Sequence, residues 1–173
     1  SSTLTEEQKV QVYNVSIPST VTSIGKSAFS YHKHLTEIEL PDSVTSIADY
    51  AFYRCTNLAS ITIPDTVKSI GSSAFAYCRS LTEIEIPKSV NSLGEGIFEG
   101  CDKLTKMTVE AGNTVYHSAG NCIIITSSKT LTEGCKSSVI PSDGTVRTIG
   151  AYAFNNCDKL TKINIPEGVE TIR

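Results

Sequence analysis

All six prolines of this chain occupy one slot of a repeating frame. Pro18, Pro41, Pro64 and Pro87 stand 23 residues apart, and each opens a copy of the same unit. Its clearest form is residues 64–86, Pro-Asp-Thr-Val-Lys-Ser-Ile-Gly-Ser-Ser-Ala-Phe-Ala-Tyr-Cys-Arg-Ser-Leu-Thr-Glu-Ile-Glu-Ile. Residues 141–165 form a fifth copy two residues longer, and Pro166 opens another. A unit this short cannot bury its own apolar face. Copies at a fixed period bury it against each other, and the chain stacks into a solenoid.

Each recurring slot has a physical reading. Leu81-x-x-Ile84-x-Ile86 ends in strict apolar–polar alternation, the period of a strand with one buried face. Its equivalents are Leu35/Ile38/Leu40, Leu58/Ile61/Ile63, Leu104/Met107/Val109 and Leu160/Ile163/Ile165. Proline then ends the strand because it has no N–H for the ladder, with Glu110 in its place once. Val-x-Ser-Ile-Gly follows, with a hydroxyl at Ser23, Ser46, Ser69, Ser92, Thr148 and Thr171. That hydroxyl is expected to bond a neighbouring rung's backbone across a turn. Glycine at 25, 71, 94 and 150 implies positive φ or close chain approach, although Ala48 fills the slot once. Ala-Phe-x-x-Cys closes the unit and carries all five phenylalanines, Phe29, Phe52, Phe75, Phe98 and Phe154. Small beside large on this spacing predicts a short helical turn and a stacked aromatic spine opposite the strands. The fold class is α/β, one strand and one helical turn per rung.

The frame divides a single expected domain, 1–173. Residues 1–11 precede the repeat, and Thr3-Leu4-Thr5-Glu6 has capping-box spacing, so a helical N-terminal cap is expected there. Residues 12–109 hold regular rungs, the first strand running through Val12, Val15 and Ile17. Residues 110–140 form an enlarged rung in which 121–126 and 130–133 flank a polar turn, a hairpin pattern. Residues 141–173 resume the frame and leave the C-terminal end open, the expectation for further repeats beyond it.

Composition narrows the function. A formal charge of −3 argues against a nucleic-acid surface, which needs clustered basic residues. No apolar run has membrane-spanning length. The chain opens at Ser1 without methionine or export signal, as in a mature form or a cut fragment. Cys55, Cys78, Cys101 and Cys157 share one repeat slot, so they are expected to pack as reduced, buried thiols. In-register side chains point in parallel, which opposes the disulfide dihedral. Cys122 and Cys135 lie near the hairpin ends and are likewise expected reduced.

With Ile-Pro-x-x-Val-x-Ser-Ile-Gly-x-x-Ala-Phe-x-x-Cys-x-x-Leu-x-x-Ile in hand, residues 12–172 resemble the BspA-type leucine-rich repeat proteins, enlarged rung included. The resemblance implies a right-handed, curved solenoid with its strands on the concave face. It further implies a secreted or cell-surface bacterial protein, several relatives of which are implicated in adhesion to host matrix or other cells. The implied partner is an extracellular protein or glycan of a host or neighbouring cell. The family offers no shared catalytic, metal or cofactor residues to transfer.

Candidate sites are therefore surfaces. Outward strand positions give two columns: Asn14, Glu37, Ser60, Glu83, Lys106 and Lys162, then Ser16, Glu39, Thr62, Glu85, Thr108 and Asn164. Glu37, Glu39, Glu83 and Glu85 make an acidic half, with Lys106 and Lys162 as a basic counterpart. The plainer reading is a solvated face. Catalysis by the glutamates finds no apolar pocket to raise a carboxyl pKa. A zinc site at His32 and His34 fails because a straight column cannot form a tetrahedron. His117-Ser118 has no acid partner. Before the cysteine slot stand Tyr31, Arg54 and Tyr77, with Tyr53 beside Arg54, a composition shared with binding hot spots, and equally that of Arg54 stacked between rings. Tyr50 and Tyr152 share a second column. Two function classes follow: a non-catalytic adhesive binding module, or a passive spacer within a larger surface protein.

Overall fold

The computed structural model describes residues 15–173, so the expected cap at 1–11, Val12 and Asn14 lie outside the described residues. The chain winds as a β-solenoid of about seven turns with rungs of about 23 residues. Each regular rung contributes to two parallel ladders rather than the single one expected. The first ladder joins β1 (Ser23–Ile24), β2 (Ser46–Ile47), β3 (Ser69–Ile70) and β5 (Ser92–Leu93), with serine opposite serine. The second joins β4 (Glu83–Ile86) to β6 (Lys106–Val109) and continues toward the N-terminus as bridges Glu39–Thr62 and Ser16–Glu39.

The Val-x-Ser-Ile segment is thus strand, not turn, because Ile24, Ile47 and Ile70 alternate with polar neighbours and are buried. The shortest cross-rung hydroxyl bonds come from the residue before valine, not from the expected slot. Ser43 Oγ donates to Val21 O at 2.7 Å, Thr66 Oγ1 to Val44 O at 2.7 Å and Ser89 Oγ to Val67 O at 2.6 Å. The following glycine serves close approach rather than positive φ. A Cβ at Gly71 would lie 2.4 Å from Asp49 N, and one at Gly94 2.3 Å from Ser72 N. Proline carbonyls start the turn between the ladders, Val44 N donating to Pro41 O at 2.9 Å and Val67 N to Pro64 O at 3.0 Å.

No helix exists among the described residues, which corrects the helical turns expected from Ala-Phe-x-x-Cys. That segment is a ribbon of tight turns. Ala51, Tyr53 and Cys55 donate to the carbonyl three residues back, as in Cys55 N to Phe52 O at 3.1 Å. The alternate amides donate across to the next rung: Tyr50 to Ser72 O, Phe52 to Ala74 O and Arg54 to Ala76 O at 3.0, 2.7 and 2.9 Å. A helix would need those same N–H groups for its own carbonyls. Stacking captures them first, and the ribbon wins.

The aromatic spine is present but has four members, not five. Phe29, Phe52, Phe75 and Phe98 stack at centroid separations of 5.3, 5.2 and 5.9 Å with interplanar angles of 10°, 1° and 10°. Gly134 takes the phenylalanine slot of the enlarged rung, since its N–H donates to Ala153 O as Phe52 N–H does to Ala74 O. The ring of Phe154 fills the vacated space, and a Cβ on Gly134 would meet Phe154 Cε1 at 2.0 Å. Phe154 therefore belongs to a second, smaller core with Cys122, Ile124, Leu131, Ile140, Val146 and Ile149.

The enlarged rung folds as β7 (Tyr116–Ala119), β8 (Cys122–Ile125) and β9 (Thr130–Glu133), all antiparallel, so the expected hairpin is joined by one further strand. β9 then pairs in parallel with β10 (Thr148–Ile149), and β10 with β11 (Thr171–Ile172). Where this hairpin sheet meets rung four, its side chains supply the acceptors a regular rung would present as backbone. Tyr116 Oη accepts from Leu93 N at 3.0 Å, Ser118 Oγ from Val109 N at 3.0 Å, and Glu133 from Ile97 N and Phe98 N at 3.0 and 3.4 Å. Asn113 Nδ2 reaches Pro87 O and Val90 O at 3.0 and 2.8 Å.

Candidate functional surfaces

The strand face carries the acidic columns in the expected register. β4–β6 pairing sets Glu83 beside Lys106 and Glu85 beside Thr108, while the bridges place Glu39 next to Thr62. Glu37, Glu39, Glu83, Glu85 and Lys106 are all exposed. Lys106 Nζ lies 3.1 Å from Glu83 Oε2, so the basic end of this face is already spent on a rung-to-rung ion pair. Lys88 is similarly held by Glu110 at 2.7 Å and Asp65 at 3.4 Å. Lys162 is not brought into this ladder: residues 160–165 form no strand, and the hairpin sheet intervenes along the chain. The face is a shallow trough. One depression of about 580 Å³ is lined by Ser60, Thr62, Glu83, Glu85, Lys106 and Glu110, and another of about 420 Å³ by Glu37, Glu39, Ser60 and Thr62.

The turn face is built differently. Two slots per rung have left-handed backbone. Ser27, Tyr50, Ser73 and Gly96 fill the first at φ of 56, 58, 53 and 60°, and Tyr31, Arg54, Tyr77 and Gly100 fill the second at 64, 59, 60 and 65°. After the enlarged rung, Tyr152 and Asn156 follow at 63 and 49°. Each such residue stands third in a tight turn, the position that suits glycine or asparagine. Holding a tyrosine there costs about 1–2 kcal/mol. The rung-to-rung amide bonds impose the conformation, and ring contacts of about 0.5–1.5 kcal/mol each offset it.

Those contacts form a cluster. Tyr53, in ordinary backbone, meets Tyr31 at 5.5 Å, Tyr50 at 5.6 Å and Tyr77 at 5.6 Å, all edge to face. The exposed Arg54 guanidinium sits 5.8, 5.5 and 5.1 Å from the centroids of Tyr31, Tyr53 and Tyr77, and its Nε donates to Tyr53 Oη at 3.2 Å. Among the described residues no carboxylate lies within ion-pair reach of Arg54. Tyr77 is half-buried and committed. Its ring lies over Gly100, its hydroxyl donates to Glu99 Oε1 at 2.8 Å, and Asn156 Nδ2 donates to it at 2.9 Å. Burial and the Glu99 carboxylate hold the Tyr77 phenol above its ordinary range. Tyr31 and Tyr50 keep 37% and 39% of their surface in solvent, so they, not Tyr77, are the presented rings.

The other candidates are structural. Buried His32 Nδ1 donates to Ser30 O at 3.3 Å, and the ring meets the Phe29 ring edge-on at 5.6 Å. Ser118 accepts from Val109 N, and His117 pairs with Thr126 Oγ1 at 2.9 Å, so neither serves the other. No three His, Cys, Asp or Glu side chains among the described residues converge to hold a metal. All six thiols are free. Cys55, Cys78 and Cys101 donate to the phenylalanine carbonyl one rung back at 3.0, 3.2 and 3.2 Å. Burial pushes Cys55 to about 12 and raises Cys78 and Cys101 as well.

Glu133 escaped the sequence reading. It is fully buried at the junction of the two cores, and burial pushes its carboxyl up to about 8 against the pull of two backbone N–H groups. A signal was available. Leu131 and Glu133 lie two apart on one strand and so share a face, which places an acid on the buried side.

Ladders of leucine, isoleucine and valine stacked at this period define a leucine-rich-repeat solenoid. The chain belongs to the BspA type leucine rich repeat region family, which matches residues 7–123 and 124–173 in six copies. A leucine-rich repeat protein from Eubacterium ventriosum is similar over 96% of this chain at 26% identity and TM-score 0.72. One from Bacteroides ovatus is similar over 94% at 29% identity and TM-score 0.68, and the T. pallidum leucine-rich repeat protein over 94% at 29% and 0.60. This chain spans 51%, 42% and 61% of those proteins respectively. No match is found among curated proteins. No helix among the described residues is long and apolar enough to cross a membrane.

Proposed function

We propose that this chain is a non-catalytic binding module of a secreted or surface-displayed bacterial protein. Its partner is an extracellular protein or glycan of a host or a neighbouring cell. One observation supports this most. The stacked rungs bury most of their apolar slots while presenting their exposed residues in fixed rows, and Glu37, Glu39 and Arg54 in those rows have no ion-pair partner among the described residues. Stacking presents a large rigid surface without an enclosed cavity, which suits contact with a macromolecule. The spacer reading is supported by the rung-to-rung ion pairs, since Glu83–Lys106 and Lys88–Glu110 spend charge on the solenoid itself.

The test is binding of the fragment, alone and multimerised on beads, to matrix proteins and mucin-type glycans at low and high salt. Beads should bind well where the single fragment binds weakly, because tethered copies gain by avidity. Contacts through the glutamate columns should fade with salt and with Glu83→Lys plus Glu85→Lys. Beads that bind nothing at either salt replace this reading with the spacer.

A further inference from the structure

We propose that the Tyr31–Tyr50–Tyr53–Arg54 cluster on the turn face is a binding site for a carboxylate-bearing sugar. The inference rests on the binding-module reading and names the face and the ligand class. Three observations meet there. Arg54 is exposed and lies within 6 Å of three tyrosine rings, with no carboxylate in ion-pair reach among the described residues. A guanidinium is a planar fork of N–H donors suited to a carboxylate, so its free edge can donate to one.

The rings beside it supply the rest of a sugar site. Tyr31 and Tyr50 each leave more than a third of their surface in solvent and are fixed edge to face against Tyr53. Flat rings stack on the apolar face of a pyranose, and phenol hydroxyls bond its hydroxyls. The third observation is the backbone. Tyr31, Tyr50 and Arg54 occupy left-handed slots that the fourth rung fills with Gly96 and Gly100. Large side chains kept where glycine is the relaxed choice point to a use for those side chains. The opposite, strand face carries Glu37, Glu39, Glu83 and Glu85, so an anionic ligand is turned away there and admitted here.

The chain has no tryptophan and seven tyrosines, of which Tyr31, Tyr50 and Tyr53 lie in the cluster, so the part of a tyrosine-fluorescence change that is lost in Tyr31→Gly reports on the cluster. The fragment is titrated with sialyllactose and, as the neutral counterpart, lactose. Saturable quenching by sialyllactose is expected, about tenfold tighter than by lactose. Arg54→Gln should lose about tenfold for sialyllactose and abolish that preference, with Arg54→Lys in between. Tyr31→Gly, which places in its slot the residue found at Gly100, should keep the thermal midpoint within a few degrees while weakening sialyllactose about fivefold. The inference is overturned if Arg54→Gln stays within about twofold of the parent, or if lactose binds as tightly. If sialyllactose does not bind while the multimerised beads hold matrix protein, this site is lost and the binding-module reading stands. Silence in both assays removes both.

Discussion

Phe75→Ala tests the stacked core most directly. Phe75 is fully buried, with rings stacked 5.2 Å on one side and 5.9 Å on the other. Truncating a buried phenylalanine loses its burial and leaves a cavity, about 3–5 kcal/mol. Two stacked neighbours add about 0.5–1.5 kcal/mol each, so the loss belongs at the upper end of that range. Phe154→Ala removes a ring that is only half-buried and packs on Gly134 instead of on a phenylalanine, so it should cost about half as much. Urea unfolding followed by far-ultraviolet circular dichroism gives both values. Because rungs stabilise one another through neighbours, the midpoint shift should come without splitting for Phe75 and with an early partial transition for Phe154. Equal losses at the two positions, or a loss near 1 kcal/mol at Phe75, would refute a spine that ends at Phe98.

Three further outcomes are expected. Glu133 is raised from an ordinary 4.5 to about 8 in the folded chain, so folding takes up a proton between those values; stability is greatest below about 4.5, falls as pH rises through about 8, and flattens in Glu133→Gln, as chemical unfolding at stepped pH will show. Cys55, Cys78 and Cys101 should resist a thiol reagent in the native state and react fully in urea, with intact mass as the readout; rapid native labelling would contradict their raised pKa values and burial. Gly134→Ala places a methyl 2.0 Å from the Phe154 ring and should cost about 1–3 kcal/mol, most of it recovered in the double variant with Phe154→Ala; additive losses would exclude the direct clash.

The period of 23 residues and the alternation in Leu81-x-x-Ile84-x-Ile86 were enough to predict rungs, the in-register strand columns, four members of the phenylalanine spine and the hairpin within 121–133. Those features depend on apolar spacing, and a repeated unit must place equivalent residues one above another. The expectations about local structure that failed concern which partner a backbone group finds, while Phe154 left the spine because its ring packs on Gly134. Ala-Phe-x-x-Cys has helical spacing, yet amides at Tyr50, Phe52 and Arg54 bond the neighbouring rung, and no helix forms. Val-x-Ser-Ile looked like a turn and became a second ladder for the same reason. Tyrosine and arginine carry no mark of left-handed backbone, so the strained columns stayed hidden, although Gly96 and Gly100 were a faint sign. The candidate surface follows this division: the sequence named Tyr31, Arg54 and Tyr77 with Tyr53 beside them, while only folding committed Tyr77 to Glu99 and Asn156, set Tyr53 edge to face against Tyr31, and left Lys162 out of the strand face. Side-chain chemistry is written residue by residue, but hydrogen-bond partners between rungs exist only once the stack has closed.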